Sequence, residues 1–285
     1  MRAIAVCALA LLLGGGTEAA AQTRAEASRS GTVAVRADDG RVRVMGWSRA
    51  EVSASASGRG DGEDEPVRVV RERGGVTAVR VRGHGDVEVR VPAGSRVVVK
   101  TRSGDITVQG VTGALDLEST SGRFRVAGTP RMVTVEGLSG DVEVTGTTET
   151  LRVKTVSGDV RVPRAQGFVE AASISGDVQV TGQGLRRATL RSTSGRAVYA
   201  GSVPRDGSLH LESTSGIVEL RVPAGIAADW DLSSLGGGQI ESALGPRPAR
   251  QYGSPGVSTL RFSSGEGGAE ITARTVTGVI LIKKL

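Results

Sequence analysis

The sequence of 285 residues is poor in the residue types from which most catalytic and metal sites are built. It has one cysteine, two histidines and only 2% aromatic residues. Cys7 lies in an N-terminal apolar run that we expect to be removed, which would leave no disulfide and no cysteine-based metal site. The spacing of His84 and His210 suggests no catalytic triad, and no nucleophile elbow is present. These absences argue against an enzyme.

The sequence also lacks an apolar run of the roughly 20 residues that a membrane-spanning helix needs. Its longest apolar stretch, "AIAVCALALLL", follows Arg2 and precedes the small-residue segment "TEAAAQ". This order is typical of a secretory signal peptide. We predict a signal peptide over residues 1–21, a short linker over residues 22–29 and one domain over residues 30–285. The mature protein is then exported, to the periplasm or the outer surface of a bacterial cell.

Glycine and valine are abundant, and they occur in a repeat. Glycine accounts for 42 of 285 residues, about twice the usual share of roughly 7%. Many turns and many β-branched residues predict an all-β protein. Ser-Gly corners recur every 18 residues and then after 19 and 21. The corner residues are Ser103, Gly104, Ser121, Gly122, Ser139, Gly140, Ser157, Gly158, Ser175, Gly176, Ser194, Gly195, Ser215 and Gly216.

Apolar residues alternate with polar ones on both sides of each corner. Val97 and Val99 precede Ser103, and Ile106 and Val108 follow it. A period of two predicts two strands, each with one inward face. Glycine accepts the backbone angles of a sharp bend, and serine or aspartate can bond local backbone groups there. Each unit is therefore a strand, a Ser-Gly corner, a second strand and a turn.

Two architectures fit these units. In an antiparallel meander each Ser-Gly pair is a hairpin turn, whereas in a β-solenoid each unit is a coil stacked on the next. Outward charges at equal positions often alternate in sign, as in Lys100 with Glu118 and Glu136 with Lys154. Stacked strands lie about 4.8 Å apart, where unlike charges attract. Glu118 beside Glu136 is an exception, but the pattern favours the solenoid. Further opposite charges are Arg191 with Glu212, and Arg125 with Glu143 and Arg161.

Four corner aspartates are weak candidates for a metal site: Asp105, Asp141, Asp159 and Asp177. Stacked carboxylates bind calcium in some acidic turn ladders. However, Arg123 and Arg196 occupy the same position in other units, and the nonapeptide spacing is absent. We prefer a turn-capping role, and we predict neither a metal nor a cofactor.

A few isolated features have both a functional and a structural interpretation. Residues 59–61 spell the Arg-Gly-Asp tripeptide that integrins bind, in a chain rich in all three residues. Trp47 and Trp230 could stack on sugar rings or be buried in the core and at its ends. We prefer the structural interpretation for each. His84 takes the place of a corner serine, and we expect His210 to face outward.

The repeat and the two terminal segments together resemble the bacterial DUF4097 family of β-strand-repeat proteins. The matching stretches are the opening "DDGRVRVMGWSRAEV", the repeated "SGDVxV" corners, "LRVPAG" at residues 220–225 and the closing "GEGGAEITARTVTGVILIKK". The resemblance covers residues 30–285, and it implies an exported, right-handed β-helix-like fold in the bacterial envelope. Members of this family are often described as adhesins, and the resemblance implies no established enzyme activity. We therefore predict a single right-handed β-solenoid with an irregular insertion at about residues 245–256.

Three functions stay open. The first is a non-enzymatic envelope scaffold or adhesin-like binder that contacts an envelope protein or glycan through a long solenoid face. The second is a carbohydrate-active β-helix enzyme, which would need acids and bases away from the corner aspartates. The third is a self-assembling structural protein joined through exposed terminal coils. Nucleic acid is disfavoured as a partner, because neither a phosphate-binding loop nor a helical DNA-reading element is evident.

Overall fold

The computed structural model describes residues 21–57, 67–72, 75–81, 85–245, 249–250 and 256–285, and their regular structure is entirely β-strand. The strands form one sheet of 25 strands. The N-terminal strands are β1 (Ala21–Glu26), β2 (Thr32–Ala37), β3 (Val42–Trp47), β4 (Glu51–Ser57), β5 (Val67–Arg71), β6 (Val76–Val81) and β7 (Asp86–Pro92). The central strands are β8 (Arg96–Ser103), β9 (Ile106–Gln109), β10 (Ala114–Ser121), β11 (Phe124–Ala127), β12 (Met132–Ser139), β13 (Val142–Val144), β14 (Thr150–Ser157), β15 (Val160–Ser173), β16 (Val178–Ser192), β17 (Ala197–Ser202), β18 (Ser208–Ser213) and β19 (Ile217–Val222). The C-terminal strands are β20 (Ala228–Ser234), β21 (Gln239–Ser242), β22 (Ala249–Arg250), β23 (Ser258–Ser264), β24 (Ala269–Thr275) and β25 (Val279–Lys284).

Each repeat unit is one coil, meaning two strands joined at a corner. β8 and β9 form one coil, and β10 and β11 form the next. Equivalent strands of successive coils pair in parallel, so Leu117 has Val99 and Val135 as its register partners. This pairing confirms the predicted all-β solenoid and excludes the meander, whose neighbouring strands would be antiparallel. None of the described residues belongs to a helix that is long and apolar enough to cross a bilayer.

The inward positions of both strands of each coil form a single hydrophobic core. Valine fills many of these positions because its branched side chain fits a pleated surface. The larger ring of Phe124 is also buried, and Gly137 leaves room for it. A Cβ on Gly137 would lie 3.0 Å from that ring. Gly137 therefore gives the Phe124 ring the space that a larger residue at this position would fill.

Two coils lie out of sequence order, one near each end. The coil of β2 and β3 lies between the coil of β6 and β7 and the coil of β8 and β9. Thr32, for example, is the partner of both Val76 and Arg96. The coil of β24 and β25 lies between the coil of β18 and β19 and the coil of β20 and β21. The sequence predicted strands in these segments but not their order in the stack.

Antiparallel strands cover the two outermost coils. β4 pairs with β7, β1 with β4, and β5 with β6. At the other end β23 pairs with β20, and β22 with β23. β1 begins at Ala21, so residues 22–26 form a strand where a linker was expected. These caps cover the sheet edges that an end-to-end assembly through terminal coils would use. Most of the insertion at residues 245–256 lies outside the described residues.

Candidate binding surface

The corner glycines form a column in which successive backbones touch. A Cβ placed on Gly158 would lie 2.1 Å from the carbonyl oxygen of Gly140. Backbone angles were the reason predicted for these glycines, and Gly104 does have a φ of 130°. Gly158 does not have a positive φ, so close stacking is the requirement common to the column. In spatial order the column is Gly85, Gly40, Gly104, Gly122, Gly140, Gly158, Gly176, Gly195, Gly216, Gly278 and Gly238.

Several corner serines form hydrogen bonds between coils rather than within their own corner. The Ser139 hydroxyl donates to the Thr120 carbonyl at 3.3 Å, and the Ser194 hydroxyl donates to the Ile174 carbonyl at 3.2 Å. This differs from the local bonding that we expected from the sequence. The serines therefore join one coil to the preceding one.

A second column of hydroxyl groups, two residues before each corner serine, was not identified from the sequence. The Ser192 hydroxyl accepts the Gly195 N–H at 2.9 Å and donates to the Gly176 carbonyl at 2.9 Å. The signal was available, because a serine or threonine recurs at this position and Gly137 replaces one of them. The buried members of the column are Thr101, Ser119, Thr155, Ser173, Ser192, Ser213 and Thr275.

The four candidate metal ligands cap backbone groups. Each aspartate accepts a hydrogen bond from the N–H at the same position of the next coil. The pairs are Asp105 with Arg123 (2.9 Å), Asp141 with Asp159 (3.1 Å), Asp159 with Asp177 (3.0 Å) and Asp177 with Arg196 (2.9 Å). Asp86 caps Arg41 in the same way, and this backbone bond is the main reason why the pKa of Asp86 lies below its ordinary value. Across the described residues, no three His, Cys, Asp or Glu side chains converge as metal ligands would.

The two tryptophans lie near opposite ends of the stack. Trp230 is buried and stacks on Phe262, with ring centroids 5.5 Å apart. Trp47 is half-buried, and its indole N–H donates to the Glu51 carbonyl at 2.8 Å. The Arg49 guanidinium lies over the Trp47 ring, 5.2 Å from its centroid. Both rings are therefore used in packing the ends.

His210 lies on the outward face, with its Nε2 3.6 Å from the Glu212 carboxylate. His84 and the tripeptide at residues 59–61 lie outside the described residues. The described histidine therefore has one acidic neighbour, and it takes no part in either of the grooves described below.

The outward charges follow the predicted register. Lys100 forms an ion pair with Glu118, and Arg152 forms one with Glu170 at 3.0 Å. Arg191 forms a third ion pair of this kind, with Glu212 at 3.2 Å. Other register partners are Glu136 with Lys154, Arg125 with Glu143, and Glu143 with Arg161. These contacts join adjacent coils along the outside of the solenoid.

Glu219 is an acidic side chain buried on the outward side of β19, at only 4% exposure. Its carboxylate accepts bonds from Arg221 and from Lys283 of the out-of-order coil, both at 2.8 Å. Burial raises the pKa of Glu219, but the two cations outweigh burial and hold the pKa below its ordinary value. Glu219 therefore fastens the inserted C-terminal coil by charge.

One cleft lies at the turns that join successive coils, and we call it the turn groove. It has a volume of about 660 Å³. Gly167 forms part of the wall, where a Cβ would lie 2.3 Å from the Glu149 carbonyl oxygen. Beside it Phe168 is 46% exposed. Other lining residues are Arg131, Thr147, Glu149, Gln166 and Arg186.

A second cleft, the corner groove, crosses the coils beside the corners and has a volume of about 700 Å³. Three exposed aliphatic side chains at the same position of successive coils lie along it: Leu138, Val156 and Ile174. Its charged residues are Glu118, Glu136, Lys154 and Arg191. The corner groove therefore combines an apolar row with a charged border.

The repeated coils match a known protein family. Residues 26–166 and 131–203 match the family model described as Toastrack DUF4097. The chain belongs to the Toastrack DUF4097 family. This membership confirms the resemblance found in the sequence, and the matched residues include the coils that carry both grooves. No curated protein matches the chain in sequence.

Several solved structures are similar to this Toastrack chain at low identity. A candidate adhesin from Bacteroides fragilis is 10% identical, with a TM-score of 0.48 over 94% of this chain and 98% of its own. A candidate lipid-binding protein from Parabacteroides distasonis is 12% identical, with a TM-score of 0.36 over 94% and 98%. A candidate adhesin from Parabacteroides distasonis is 10% identical, with a TM-score of 0.34 over 93% and 97%.

Proposed function

We propose that the protein is an exported, non-enzymatic binding module of the bacterial envelope, adhesin-like, which contacts a glycan through the turn groove. The observation that carries this proposal is the exposure of Phe168 within a groove of polar side chains. The chain has very few aromatic residues. Phe168 is one of them, and at 46% exposure it contributes little to the core.

The chemistry of the turn groove suits a sugar. The face of an aromatic ring carries partial negative charge and attracts the C–H groups of a pyranose ring. Gln166, Arg131 and Arg186 offer hydrogen-bond donors around Phe168, and Glu149 offers an acceptor. Ligand sites commonly combine apolar surface with a few directed polar groups in this way.

The same groove supports binding over hydrolysis. Glycoside hydrolysis generally takes a pair of carboxyl groups on opposite sides of the scissile bond. Glu149 is the one carboxylate among the described residues that line the turn groove. The corner aspartates lie in another column and cap backbone N–H groups. A carbohydrate-active enzyme would need a second acid at this site.

A panel of envelope and extracellular polysaccharides, assayed for binding and for cleavage products, tests the proposal. We expect binding without product, and we expect Phe168→Ala to weaken binding about tenfold, since a stacked ring contributes up to about 1.5 kcal/mol. Phe168→Trp should keep the affinity. Met132→Ala is the matched control, because Met132 is exposed but does not line the groove.

Three outcomes would contradict this function. Released sugar products would indicate the enzyme instead. Binding that Phe168→Ala leaves unchanged would remove the turn groove as the site, and no binding to any polysaccharide would exclude a glycan. N-terminal sequencing of protein from the envelope fraction tests export separately, with a start near Gln22 expected and an intact Met1 on a cytoplasmic protein contradicting it.

A further inference from the structure

The corner groove has an apolar row that the repeat does not require. Leu138, Val156 and Ile174 precede the corner serine of three successive coils and are 56%, 38% and 50% exposed. Threonine occupies the same position in the flanking coils, at Thr120 and Thr193. The coil therefore folds with a polar residue here, and contiguous exposed apolar side chains are typical of an interaction surface.

We propose that a second copy of this chain docks in the corner groove, with the two solenoids antiparallel across a two-fold axis. The axis lies between the coil of Glu136 and the coil of Lys154. This interaction is lateral and independent of the glycan function proposed for the turn groove. It also differs from assembly through the terminal coils, which antiparallel strands cover.

The order of charges along the groove favours this orientation. Glu118 and Glu136 lie on its N-terminal coils, and Lys154 and Arg191 lie on its C-terminal coils. A second copy laid parallel and in register would face acid with acid and base with base. Reversing the second copy about an axis between the coils of Glu136 and Lys154 faces Glu136 with Lys154, whereas Glu118 faces Ala172. Arg191 then faces Lys100, and each of these already has an acidic partner within its own chain. A two-fold interface must be self-complementary in this sense.

The ion pairs already present within one chain indicate where the axis lies. Lys100 already pairs with Glu118, and Arg191 with Glu212. Glu136 and Lys154 are register partners, yet within the described chain neither has an ion-pair partner within 4.0 Å. An axis between their coils brings Glu136 of each copy to Lys154 of the other. Two equivalent ion pairs then form at the centre of the interface.

The same axis brings the apolar rows together. Leu138 of each copy faces Val156 of the other, and Ile174 of each copy faces Thr120 of the other. Apolar side chains at the centre with charged groups around them is the arrangement expected of a specific interface. The strands themselves keep their existing partners, since the backbones of these coils are already paired on both sides.

Sedimentation equilibrium of the mature chain over a wide concentration range tests the proposal. We expect a monomer–dimer equilibrium. Glu136→Lys or Lys154→Glu alone should weaken the dimer at least about tenfold, because each creates two like-charge contacts. The double variant Glu136→Lys with Lys154→Glu should restore it. Replacing Leu138, Val156 and Ile174 by threonine should abolish it without unfolding the chain, since neighbouring coils carry threonine there.

Two controls separate the groove from the rest of the surface. Val276 is 42% exposed at the same position of a coil outside the groove, so Val276→Thr should leave the dimer unchanged. Exchanging the charges of Arg152 and Glu170, an exposed pair at 3.0 Å, should also leave it unchanged.

A chain that stays monomeric at every concentration overturns the proposal, as does a dimer that the threonine variant leaves intact. For a monomeric chain, comparing the threonine variant with the wild type on lipid vesicles would show whether an acyl chain is the occupant instead. Glycan binding, measured on the same variants, reports on the turn groove independently of either result.

Discussion

The middle of the solenoid and its two ends use the same coil, but they hold it in place differently. In the middle, the Asp141 carboxylate caps the Asp159 N–H, and these residues are 18 apart in sequence. At the N-terminal end, the Ser103 hydroxyl bonds the Asp39 carboxylate, 64 residues away. At the C-terminal end, Lys283 bonds Glu219, also 64 residues away. Stacking is therefore local in the middle and long-range at the ends.

This difference shows that a coil's internal register and its place in the stack are separate properties. The entropic cost of closing a loop grows slowly with loop length. A coil that is distant in sequence from its neighbours therefore costs only slightly more to place in the stack. Its contacts with a neighbour on each face can offset that cost. Insertion of the C-terminal coil also holds β25, the last strand, between β19 and β21, where a simple sequential stack would leave it outermost.

The largest expected effect is that of adding a side chain to the glycine column. It tests whether successive coils are packed equally closely in the middle and at the C-terminal end. Gly158→Ala in the middle and Gly278→Ala at the C-terminal end should each lower the free energy of unfolding by about 3 kcal/mol, because a forced clash in packed structure costs this much. The new Cβ would lie 2.1 Å and 1.8 Å, respectively, from the carbonyl oxygen of the neighbouring glycine. Denaturant unfolding measures both.

Gly225→Ala is the control for these variants, since a Cβ at Gly225 meets nothing within 4 Å. It should change stability little. A neutral Gly278→Ala together with a damaging Gly158→Ala would mean that the terminal coil is not seated against Gly216.

The second largest effect is expected for Glu219, the buried acidic residue near the C-terminal end. Glu219→Gln should lower stability at neutral pH by about 2 kcal/mol, because it weakens charged hydrogen bonds to Arg221 and Lys283. The folded-state pKa of Glu219 lies below its ordinary value of 4.5. Its contribution is therefore complete above about pH 4.5 and is lost as the pH falls through the lower folded-state pKa.

Unfolding measured as a function of pH checks this contribution. The wild type should lose more stability than Glu219→Gln as the pH falls below 4.5. Parallel curves for the two proteins over that range would contradict the assigned role of Glu219.

Two buried threonines at equivalent positions, Thr275 and Thr155, should change stability in opposite directions when each is replaced by valine. In the end coil, Thr275 accepts the Gly278 N–H at 3.0 Å, so Thr275→Val should destabilise the chain by about 1 kcal/mol. In the middle, the buried Thr155 hydroxyl has no hydrogen-bond partner within the described chain. Thr155→Val should therefore stabilise by about 1 kcal/mol. Thermal melts of both variants decide the sign, and equal destabilisation would contradict the difference.

The smallest effect is expected for an exposed charge in the middle. Glu143 lies in register between Arg125 and Arg161, 3.8 Å from Arg125, whereas Arg161 bonds Asp159 at 2.7 Å. Glu143→Arg should cost roughly 0.2–1 kcal/mol, and less in high salt. Changing both flanking arginines to glutamate should restore part of the loss, because the new pairs with residue 143 are offset by the loss of the Arg161–Asp159 and Arg125–Asp105 ion pairs. A triple variant that melts no higher than the single one at low salt would contradict this prediction.

The candidate surfaces were only partly predictable. The spacing predicted which residues face outward, and the row of Leu138, Val156 and Ile174 is visible 18 residues apart. Nothing in the spacing predicts that these three are exposed, because an apolar residue beside a corner could equally be covered. The exposure of Phe168 was likewise not predictable from the sequence, since the groove around it is formed by turns of several coils.

The sequence by itself determined the coil. Period-two alternation set the inward faces, the 18-residue spacing set the register of successive coils, and the corner glycines marked where each coil bends. These features are local, because they depend on residues within one coil or one repeat length. They were enough to favour parallel stacking over hairpins and to place Glu118 between Lys100 and Glu136.

Only the tertiary structure decided the order of the coils at the ends. The segment around Gly40 and the segment around Gly278 both have the pattern of a coil, so either fits any neighbour with the same alternation and a glycine at the corner. Valine-rich faces do not discriminate between neighbours, and the backbone bonds of parallel strands are the same for each. The choice depends on contacts such as Asp39 with Ser103 and Glu219 with Lys283, which form only when the whole stack is assembled.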